Sequence, residues 1–236
     1  RSGMDHESLR SLNPKLVYCS LTGYGLEGPD ADRPGFDIAS FWSRTGVARL
    51  TIPKGQDPFA LRTAFGDHTT SMSAAAGICA ALVEAQRTGK GRLVEASLFR
   101  TGLYAMGSDF AIQLFFGRIA STKGRTEQIV PISNFYKTSD DHWICIVARQ
   151  GDVDWVPMCK VIDREDLAED PRYVTAKGRR QHMEEVVALI DEGFAKYTRE
   201  EISARLDANA IAWAPVQTLG ISEAEIKAMY DASVIA

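Results

Sequence analysis

The most regular pattern in the chain is an alanine-rich run from Thr69 to Arg87, in which apolar side chains recur at helical spacing without a proline. This run predicts a helix, and the glycines of the following segment TGKG predict its end. The next segment, RLVEASLF, alternates apolar and polar positions and predicts a strand. Residues 100–117 return to helical spacing. This part of the chain therefore predicts a helix, a strand and further helix in succession.

The pattern ahead of the alanine-rich run is less regular. Residues 4–13 have the character of the end of a helix, which Pro14 interrupts before an apolar strand from Leu16 to Leu21 and the turn GYGLEGP. Residues 31–62 contain repeated prolines and glycines and predict mostly loop. Because the chain opens on a helix that leads straight into an apolar strand, we expect further residues ahead of it.

A polar linker near residue 119 separates this half of the chain from the next. After it, the segment NFYKTSDDHWICIVA predicts a hairpin around Asp140 and Asp141. Thr198 and Glu201 have the spacing of a capping box at the start of a helix, and WAPVQT predicts a short strand. An amphipathic helix is marked by apolar side chains at spacings of three and four, namely Met183, Val186, Val187, Ile190 and Phe194.

These elements divide the second half into two parts. Residues 126–217 predict a small α+β domain, and residues 218–236 predict one more amphipathic helix.

Composition narrows the class of protein. The 236 residues are 45% apolar and 25% charged, which is ordinary for one or two globular domains, and the net charge of −4 argues against a nucleic-acid partner. The longest small or apolar run, Met72 to Val83, is shorter than the roughly 20 residues that a membrane span needs. The four widely spaced cysteines form no CxxC pair and predict reduced core thiols of a cytosolic protein, and the scattered histidines argue against a metal site.

Asp67 raises the main functional question, because it is the acid directly ahead of the alanine-rich helix. Aspartate is a favoured N-cap, since its carboxylate accepts hydrogen bonds from the free N–H groups of the first turn. The same helix end would also keep a nucleophilic carboxylate ionised and place N–H donors beside it. The pattern alone leaves both interpretations open.

Other chemistry-bearing motifs are weak. The glycine turns match neither a P-loop nor GxGxxG, and no Ser or Cys stands in a nucleophile elbow. His68 could act as a base beside Asp67, although side chains of chain neighbours usually point apart.

Five segments together carry a family resemblance. They are NPKLVYCSLTGYGLEGP, RPGFDIASFWSRTG, FGDHTTSMSAAAGICAALVEAQRTGKGRLVEASLF, NFYKTSDDHWICIVA and DWVPMCKVIDREDLAEDPRYVTAKGR. In this order they resemble the class III CoA-transferases of the CaiB/BaiF type, which include formyl-CoA and carnitine-type CoA-transferases.

The resemblance implies an α/β fold with a Rossmann-like large domain, a small α+β domain and an interlocked homodimer. Residues 1–125 would be part of the large domain, residues 126–217 the small domain, and residues 218–236 a helix that returns to the large domain. It also implies a cytoplasmic enzyme with neither a nucleic-acid nor a membrane partner.

The implied chemistry moves CoA from an acyl-CoA thioester to a free carboxylic acid through an aspartyl-CoA thioester, without a metal. The residue that matches the family's nucleophile is Asp67. Phe36 and Asp37 match positions near the CoA thiol, and Gly151 and Asp152 fall near a second CoA contact loop.

The acyl pocket and the family's gating loop are less well marked. Trp42, Arg44 and Arg62 are candidates to line the pocket, and two arginines would suit an acyl group that carries a carboxylate. The glycine-rich gating loop of the family would lie around Ala120 to Val130, where this chain has only Gly124.

Two alternatives stay open beside CoA transfer. The same family contains 2-methylacyl-CoA racemases, which need a histidine where this chain has Phe36. A non-catalytic remnant or assembly subunit would explain the absence of a stretch that the resemblance predicts between Thr218 and Ile221, but the intact Asp67 argues against it.

Overall fold

The computed structural model describes residues 3–59, 62, 64–118, 122–218, 220 and 222–233. The chain combines helices and sheet in an α/β fold and divides into two compact units, Arg1–Thr122 and Lys123–Ala236. The first unit contains Asp67, and the second contains Gly151 and Asp152.

The first unit begins with helix α1, His6–Leu12. The carboxylate of Asp5 accepts a hydrogen bond from the N–H of Ser8 and so caps this helix. Strand β1, Tyr18–Thr22, follows after Pro14. The predicted order of helix, proline and strand is confirmed, with the strand starting two residues later than expected.

Two short helices lie in the stretch that was predicted to be mostly loop. Residues Asp37–Ser43 form a π-helix, and helix α2 covers Val47–Leu50. The Arg44 N–H donates to the Ala39 carbonyl, five residues back, as a π-helix requires. A segment of seven residues with this spacing leaves no α-helical periodicity, which explains why the pattern did not reveal it.

Helix α3, Phe65–Thr88, is the long alanine-rich helix. It ends at Gly89, whose φ of 72° lies in the left-handed region, so the predicted glycine stop is confirmed. Its start was predicted too late. The N-cap position is Ala64, with φ 75°, and Asp67 is the third residue of the helix.

Strand β2, Leu93–Ser97, pairs in parallel with β1, from Tyr18 opposite Leu93 to Thr22 opposite Ser97. Helix α3 lies in the connection between the two strands, as parallel pairing demands. Helices α4, Leu98–Ala105, and α5, Gly107–Phe116, divide the predicted helical stretch at Met106.

The buried core of the first unit is small in the described residues. Its packed cluster consists of Phe41, Val47, Leu98 and Met106, with Trp42 against it, and Ile52 and four alanines are buried elsewhere in the unit. The π-helix contributes Phe41 and therefore connects this core to the start of α3.

The second unit is built on a three-stranded antiparallel sheet in the order β3-β4-β5. Its strands are β3, Phe135–Lys137, β4, Trp143–Val147, and β5, Ala212–Pro215. The predicted hairpin is confirmed, and its turn contains Asp141 with φ 68°.

Four helices of this unit, in sequence order, are α6, Trp155–Val161, α7, Ala176–Gln181, α8, Met183–Phe194, and α9, Arg199–Ala208. Helix α8 packs on β3 and helix α9 on β5, while α6 contacts α9 and α7 contacts α8. The predicted capping box of Thr198 and Glu201 is present at the start of α9. The apolar face of α8 is buried as expected, with Val186, Val187, Ile190 and Phe194 inside.

Helix α10, Glu223–Ser233, is the predicted last helix. Ser222 and Glu225 exchange hydrogen bonds at its start. The predicted return of residues 218–236 to the large domain, and the domain boundary at residue 126, stay predictions. Leu219 and Ile221, where a stretch was expected to be missing, lie outside the described residues.

Within the described ranges, no helix is both long and apolar enough to cross a membrane.

Candidate active site at the start of α3

Asp67 lies in the first turn of α3 and is exposed to solvent. It does not occupy the N-cap position, which belongs to Ala64, so the structure contradicts the capping interpretation of this aspartate. His68 is the next residue and is also exposed, and its N–H donates to the Ala64 carbonyl at 2.9 Å.

The first turn of α3 is held by a side chain from the π-helix. Asp37 Oδ1 accepts a hydrogen bond from the Gly66 N–H at 3.0 Å. An alanine methyl at the N-cap cannot accept such a bond, so Asp37 supplies the acceptor from 29 positions away. The side chain of Asp37 is 5% exposed, which places this hydrogen bond in the interior.

Gly66 explains why the two elements can approach so closely. A Cβ at this position would overlap Asp37 Oδ1 and would lie within 2.6 Å of Phe41 Cβ. Only glycine fits at such a distance from a neighbouring element. The glycine of the GD pair therefore serves packing, and the aspartate that follows it is directed to solvent.

Aromatic side chains fix the same corner. The ring centroid of Phe65 lies 6.1 Å from that of Phe41 and 5.2 Å from that of Trp42. Phe65 is the first residue of α3, so both contacts restrain the turn that carries Asp67.

Buried polar atoms without a partner concentrate at this corner. Four of the six such side-chain atoms in the described residues belong to the π-helix and α3: Asp37 Oδ2, Ser40 Oγ, Trp42 Nε1 and Thr70 Oγ1. Buried polar groups are nearly always hydrogen-bonded, and an exception is explained by strain, by a catalytic role or by an ordered water or ion. Ser40 and Thr70 were not singled out from the sequence, because nothing local distinguishes them from other buried hydroxyl residues.

The two other candidates near this corner differ in exposure. Phe36 is 73% exposed, whereas the adjacent Asp37 is buried. Phe36 therefore presents an apolar ring to solvent, and Asp37 is committed to the start of α3.

The candidates for the acyl pocket are also placed differently. Arg44 forms an ion pair with Asp30 at 3.3 Å and lies over the ring of Phe99. Trp42 is half-buried against Phe65, and Arg62 is exposed. Arg44 thus already has a carboxylate partner in the chain.

Gly151 and Asp152 belong to a turn of the second unit that a buried arginine supports. Gly151 is exposed and has φ 86°, so glycine is favoured there. The guanidinium of Arg179, which is 3% exposed, donates to the Gly151 carbonyl at 2.9 Å and to Asp152 Oδ1 at 2.8 Å. Asp152 Oδ1 also accepts from the Ala176 N–H at the start of α7.

The segment in which the family resemblance predicts a gating loop is partly described. Ala120 and Ser121 lie outside the described residues, and Arg125–Glu127 form a single turn of 3-10 helix. Arg125 donates both guanidinium arms to Asp191, at 2.9 and 2.7 Å. The ion pair of Arg125 with Asp191 therefore holds this segment. Its sequence contains a single glycine, Gly124.

No cluster of three or more histidine, cysteine or acidic side chains suited to a metal ion is found among the described residues. All four cysteines are free thiols, but only Cys159 is buried, and Cys19 and Cys79 are exposed, so the prediction that all four lie in the core is wrong.

Comparison with known proteins defines the class. The model of CoA-transferase family III matches residues 1–230, so this chain belongs to that family. A solved CAIB/BAIF family protein from Brucella suis has a TM-score of 0.83 and 27% identity, over 98% of this chain and 60% of that one.

Curated relatives carry more specific names. The chain is 31% identical over 218 residues to the (R)-2-hydroxy-4-methylpentanoate CoA-transferase of Clostridioides difficile, covering 92% of this chain and 54% of the relative. It is 34% identical over 203 residues to the cinnamoyl-CoA:phenyllactate CoA-transferase of Clostridium sporogenes, covering 85% and 49%. The chain thus spans about half the length of the curated relatives it matches.

Proposed function

We propose that this chain carries the nucleophile of an enzyme that moves CoA from an acyl-CoA thioester to a free carboxylic acid, and that Asp67 is this nucleophile. One observation carries the proposal. Asp67 lies exposed in the first turn of α3, while Asp37 provides the acceptor for the Gly66 N–H. The carboxylate of Asp67 is therefore not required to cap its own helix.

The electrostatics of this position suit an ionised nucleophile. The N-terminal end of α3, a helix of 24 residues, carries a partial positive charge that favours the carboxylate form of Asp67. Backbone N–H groups of a helix end can also stabilise an oxyanion that forms during acyl transfer.

The proposed reaction uses two pairs of acyl transfers. An Asp67 oxygen attacks the carbonyl carbon of the donor thioester, the C–S bond breaks, and CoA leaves as a thiolate from a mixed anhydride. The thiolate then attacks the Asp67 carbonyl carbon, which forms an aspartyl-CoA thioester and releases the donor acid as a carboxylate.

The acceptor repeats these steps in reverse. Its carboxylate attacks the aspartyl-CoA carbonyl and expels the CoA thiolate, which then attacks the acceptor's carbonyl in the new anhydride. The products are the acceptor's CoA thioester and the free Asp67 carboxylate, so no proton or electron is left over.

The CoA contacts implied by the resemblance belong to the same proposal. The exposed Phe36 and Gly151 are available to a ligand, and Asp152 is 56% exposed beside Arg179. Asp37 is buried, so we assign the contact near the thiol to Phe36 more than to Asp37.

The racemase alternative needs a base that Phe36 cannot provide. A proton on the α-carbon can leave only to an acceptor within hydrogen-bond reach. We therefore expect no α-deuterium exchange above background when a chiral 2-methylacyl-CoA is incubated with the protein in deuterated water. Ready exchange would assign a base at this site, with His68 as the first candidate.

The assembly, domain roles and location are proposed from the family resemblance. We propose a cytoplasmic homodimer of interlocked chains, with residues 1–125 in a Rossmann-like large domain and residues 126–217 in the small domain. Linked chains cannot separate on dilution. Sedimentation of the full-length protein at low concentration should therefore give a dimer, and a folded monomer would contradict this arrangement.

Asp67→Asn tests the function directly. We expect CoA transfer to fall by at least about a thousandfold, because the amide cannot attack a thioester. Asp109 provides a matched control, since it also lies in the first turn of a helix of the same unit that lacks a side-chain cap. Asp109→Asn should leave transfer near the wild-type rate. Substantial turnover by Asp67→Asn would refute the proposed nucleophile.

A further inference from the structure

We infer that Asp37 is a positioning residue for Asp67: its buried carboxylate replaces the missing side-chain cap of α3 and fixes the turn that carries the nucleophile. The inference rests on the proposed function, because it concerns the residue proposed to attack the thioester. It assigns to Asp37 a role that does not require contact with substrate.

The start of α3 has no side-chain cap at its N-cap residue. The first N–H groups of a helix have no acceptor within the helix, and a side chain at the N-cap usually supplies one. Ala64 occupies this position in α3, in a left-handed conformation with φ 75°. The acceptor for the Gly66 N–H is instead Asp37 Oδ1, at 3.0 Å.

The contact between the π-helix and the start of α3 is unusually close. Gly66 allows the backbone of α3 to lie directly on Asp37 and Phe41, because a Cβ there would overlap both side chains. Asp67 is the next residue, so its Cα is placed by the same contact. Loss of the hydrogen bond between the Gly66 N–H and Asp37 would shift the first turn of α3, and the Asp67 carboxylate would move with it.

The buried carboxylate of Asp37 has a cost in folding free energy. Burying a carboxylate with only part of its hydrogen-bonding capacity used is unfavourable. The Asp37 side chain is 5% exposed, and its Oδ2 has no partner among the described residues. An asparagine would accept the same bond from Gly66 without burying a charge, so nothing in the packing alone demands an aspartate.

The position of the Asp67 carboxylate affects the rate of its attack on the thioester. A nucleophile must lie close to its target carbon in the bound complex, and a misplacement of about 1 Å can reduce the rate by about a hundredfold. Loss of the acceptor at residue 37 should therefore lower kcat, whereas the KM for acyl-CoA should change little, because the buried Asp37 presents almost no surface to a ligand.

The test compares Asp37→Ala, which removes the acceptor, with Asp37→Asn, which keeps an oxygen that can accept from Gly66. In the full-length protein we expect Asp37→Ala to reduce kcat by about ten- to a hundredfold, with the KM for acyl-CoA within about threefold of wild type. Asp37→Asn should restore kcat to within about fivefold.

Ser97→Ala is the matched control for loss of a buried cap. Ser97 is buried in the same unit, and its hydroxyl accepts from the Arg100 N–H at the start of α4. It should reduce stability as a lost cap does while kcat stays near wild type. An equal fall in kcat for Ser97→Ala and Asp37→Ala would reduce Asp37 to a stabilising residue and overturn the inference.

The remaining outcomes separate this inference from the proposed function. Wild-type kcat in Asp37→Ala, together with an inactive Asp67→Asn, would overturn the positioning role and leave the nucleophile in place. An active Asp67→Asn would remove the proposed function itself. If Asp37→Ala does not fold, Asp37→Asn decides: a loss of more than about a hundredfold in that variant would contradict positioning by this hydrogen bond.

Discussion

The two units differ in how completely they bury their own side chains. The second unit has a core of eighteen buried residues, among them Trp155, Tyr173 and Phe194. The packed cluster of the first unit has four, although nine apolar residues are buried in the described part of that unit. Helix α5 of the first unit has no buried residue in the described chain, and Leu114 and Phe115 are more than four-fifths exposed on it.

The units also differ in how they satisfy buried polar groups. In the second unit, buried Arg179 donates to three backbone carbonyls and to Asp152, and buried Asp154 is bound by Arg149. Among the described residues, four buried side-chain atoms lack a hydrogen-bond partner in the first unit, including Asp37 Oδ2 and Thr70 Oγ1, and two lack one in the second, His142 Nδ1 and Tyr173 Oη. The candidate nucleophile therefore lies in the unit with the smaller packed cluster and the larger number of buried polar atoms without a partner among the described residues.

The largest effect on stability is expected at Arg179 in the second unit. Arg179→Ala removes the donors for the Tyr173, Val174 and Gly151 carbonyls and the ion pair with Asp152. We expect the free energy of unfolding of this unit to fall by about 2–4 kcal/mol, because buried acceptors lose their partners. Hydrogen exchange of peptides from each unit would measure the loss of stability separately in the two units.

Arg172 serves as the control for that substitution. It is more than half exposed and pairs with Asp170 and Glu185 at the surface, where solvent screens the interaction. Arg172→Ala should have a much smaller effect. Equal effects of the two substitutions would contradict the account of Arg179 as a buried support.

A smaller effect is expected at Gly66 in the first unit. Gly66→Ala should destabilise the start of α3 by about 1–3 kcal/mol, because the added methyl overlaps Asp37 and Phe41. Exchange in residues 65–88 should become faster, and CoA transfer should decrease with it.

Gly107 gives the comparison for Gly66. A Cβ at this first residue of α5 would meet nothing within 4 Å. Gly107→Ala should be neutral or stabilising by up to about 1 kcal/mol. Unchanged exchange and transfer in Gly66→Ala would contradict the close contact between the π-helix and α3.

The smallest perturbation is thiol labelling, which compares the units without a mutation. Burial raises the pKa of Cys159 in the second unit to about 12, with a further contribution from the charge of Asp166. Its thiol is therefore protonated at pH 8, whereas Cys19 and Cys79 of the first unit are exposed. Iodoacetamide should modify Cys159 more than about a hundredfold more slowly than Cys19 or Cys79.

Denaturant provides the control for labelling, because unfolding should bring the three rates together. Comparable labelling of Cys159 in the native protein would mean that the core of the second unit opens readily.

Local signals in the sequence predicted much of the fold. The hairpin at Asp140 and Asp141, the capping box of Thr198 and Glu201 and the end of α3 at Gly89 all depend on neighbours in the chain, and all are confirmed. The pattern also predicted the amphipathic face of α8.

Contacts between distant residues could not be predicted in this way. Helix α3 begins earlier than expected because its first turn is bound by Asp37, far away in the sequence. The π-helix leaves no α-helical period. The capping interpretation of Asp67 failed for the same reason, and the proposal of a nucleophile there came from the family resemblance rather than from the pattern.

The most direct test of the account is a search for CoA bound covalently to Asp67. The full-length protein would be incubated with an acyl-CoA, and the tryptic peptide of residues 63–87 would be analysed by mass spectrometry. This peptide also contains Cys79, an exposed thiol that could form a mixed disulfide with CoA. Each sample would therefore be compared before and after a phosphine reductant, which cleaves disulfides but leaves thioesters intact, and in a Cys79→Ser variant.

The account predicts a CoA adduct that survives the reductant, persists in Cys79→Ser, is absent from Asp67→Asn and is converted to a hydroxamate by hydroxylamine. An adduct that disappears with the reductant or with Cys79, or one that remains in Asp67→Asn, would contradict the assignment of Asp67 as the residue that carries CoA.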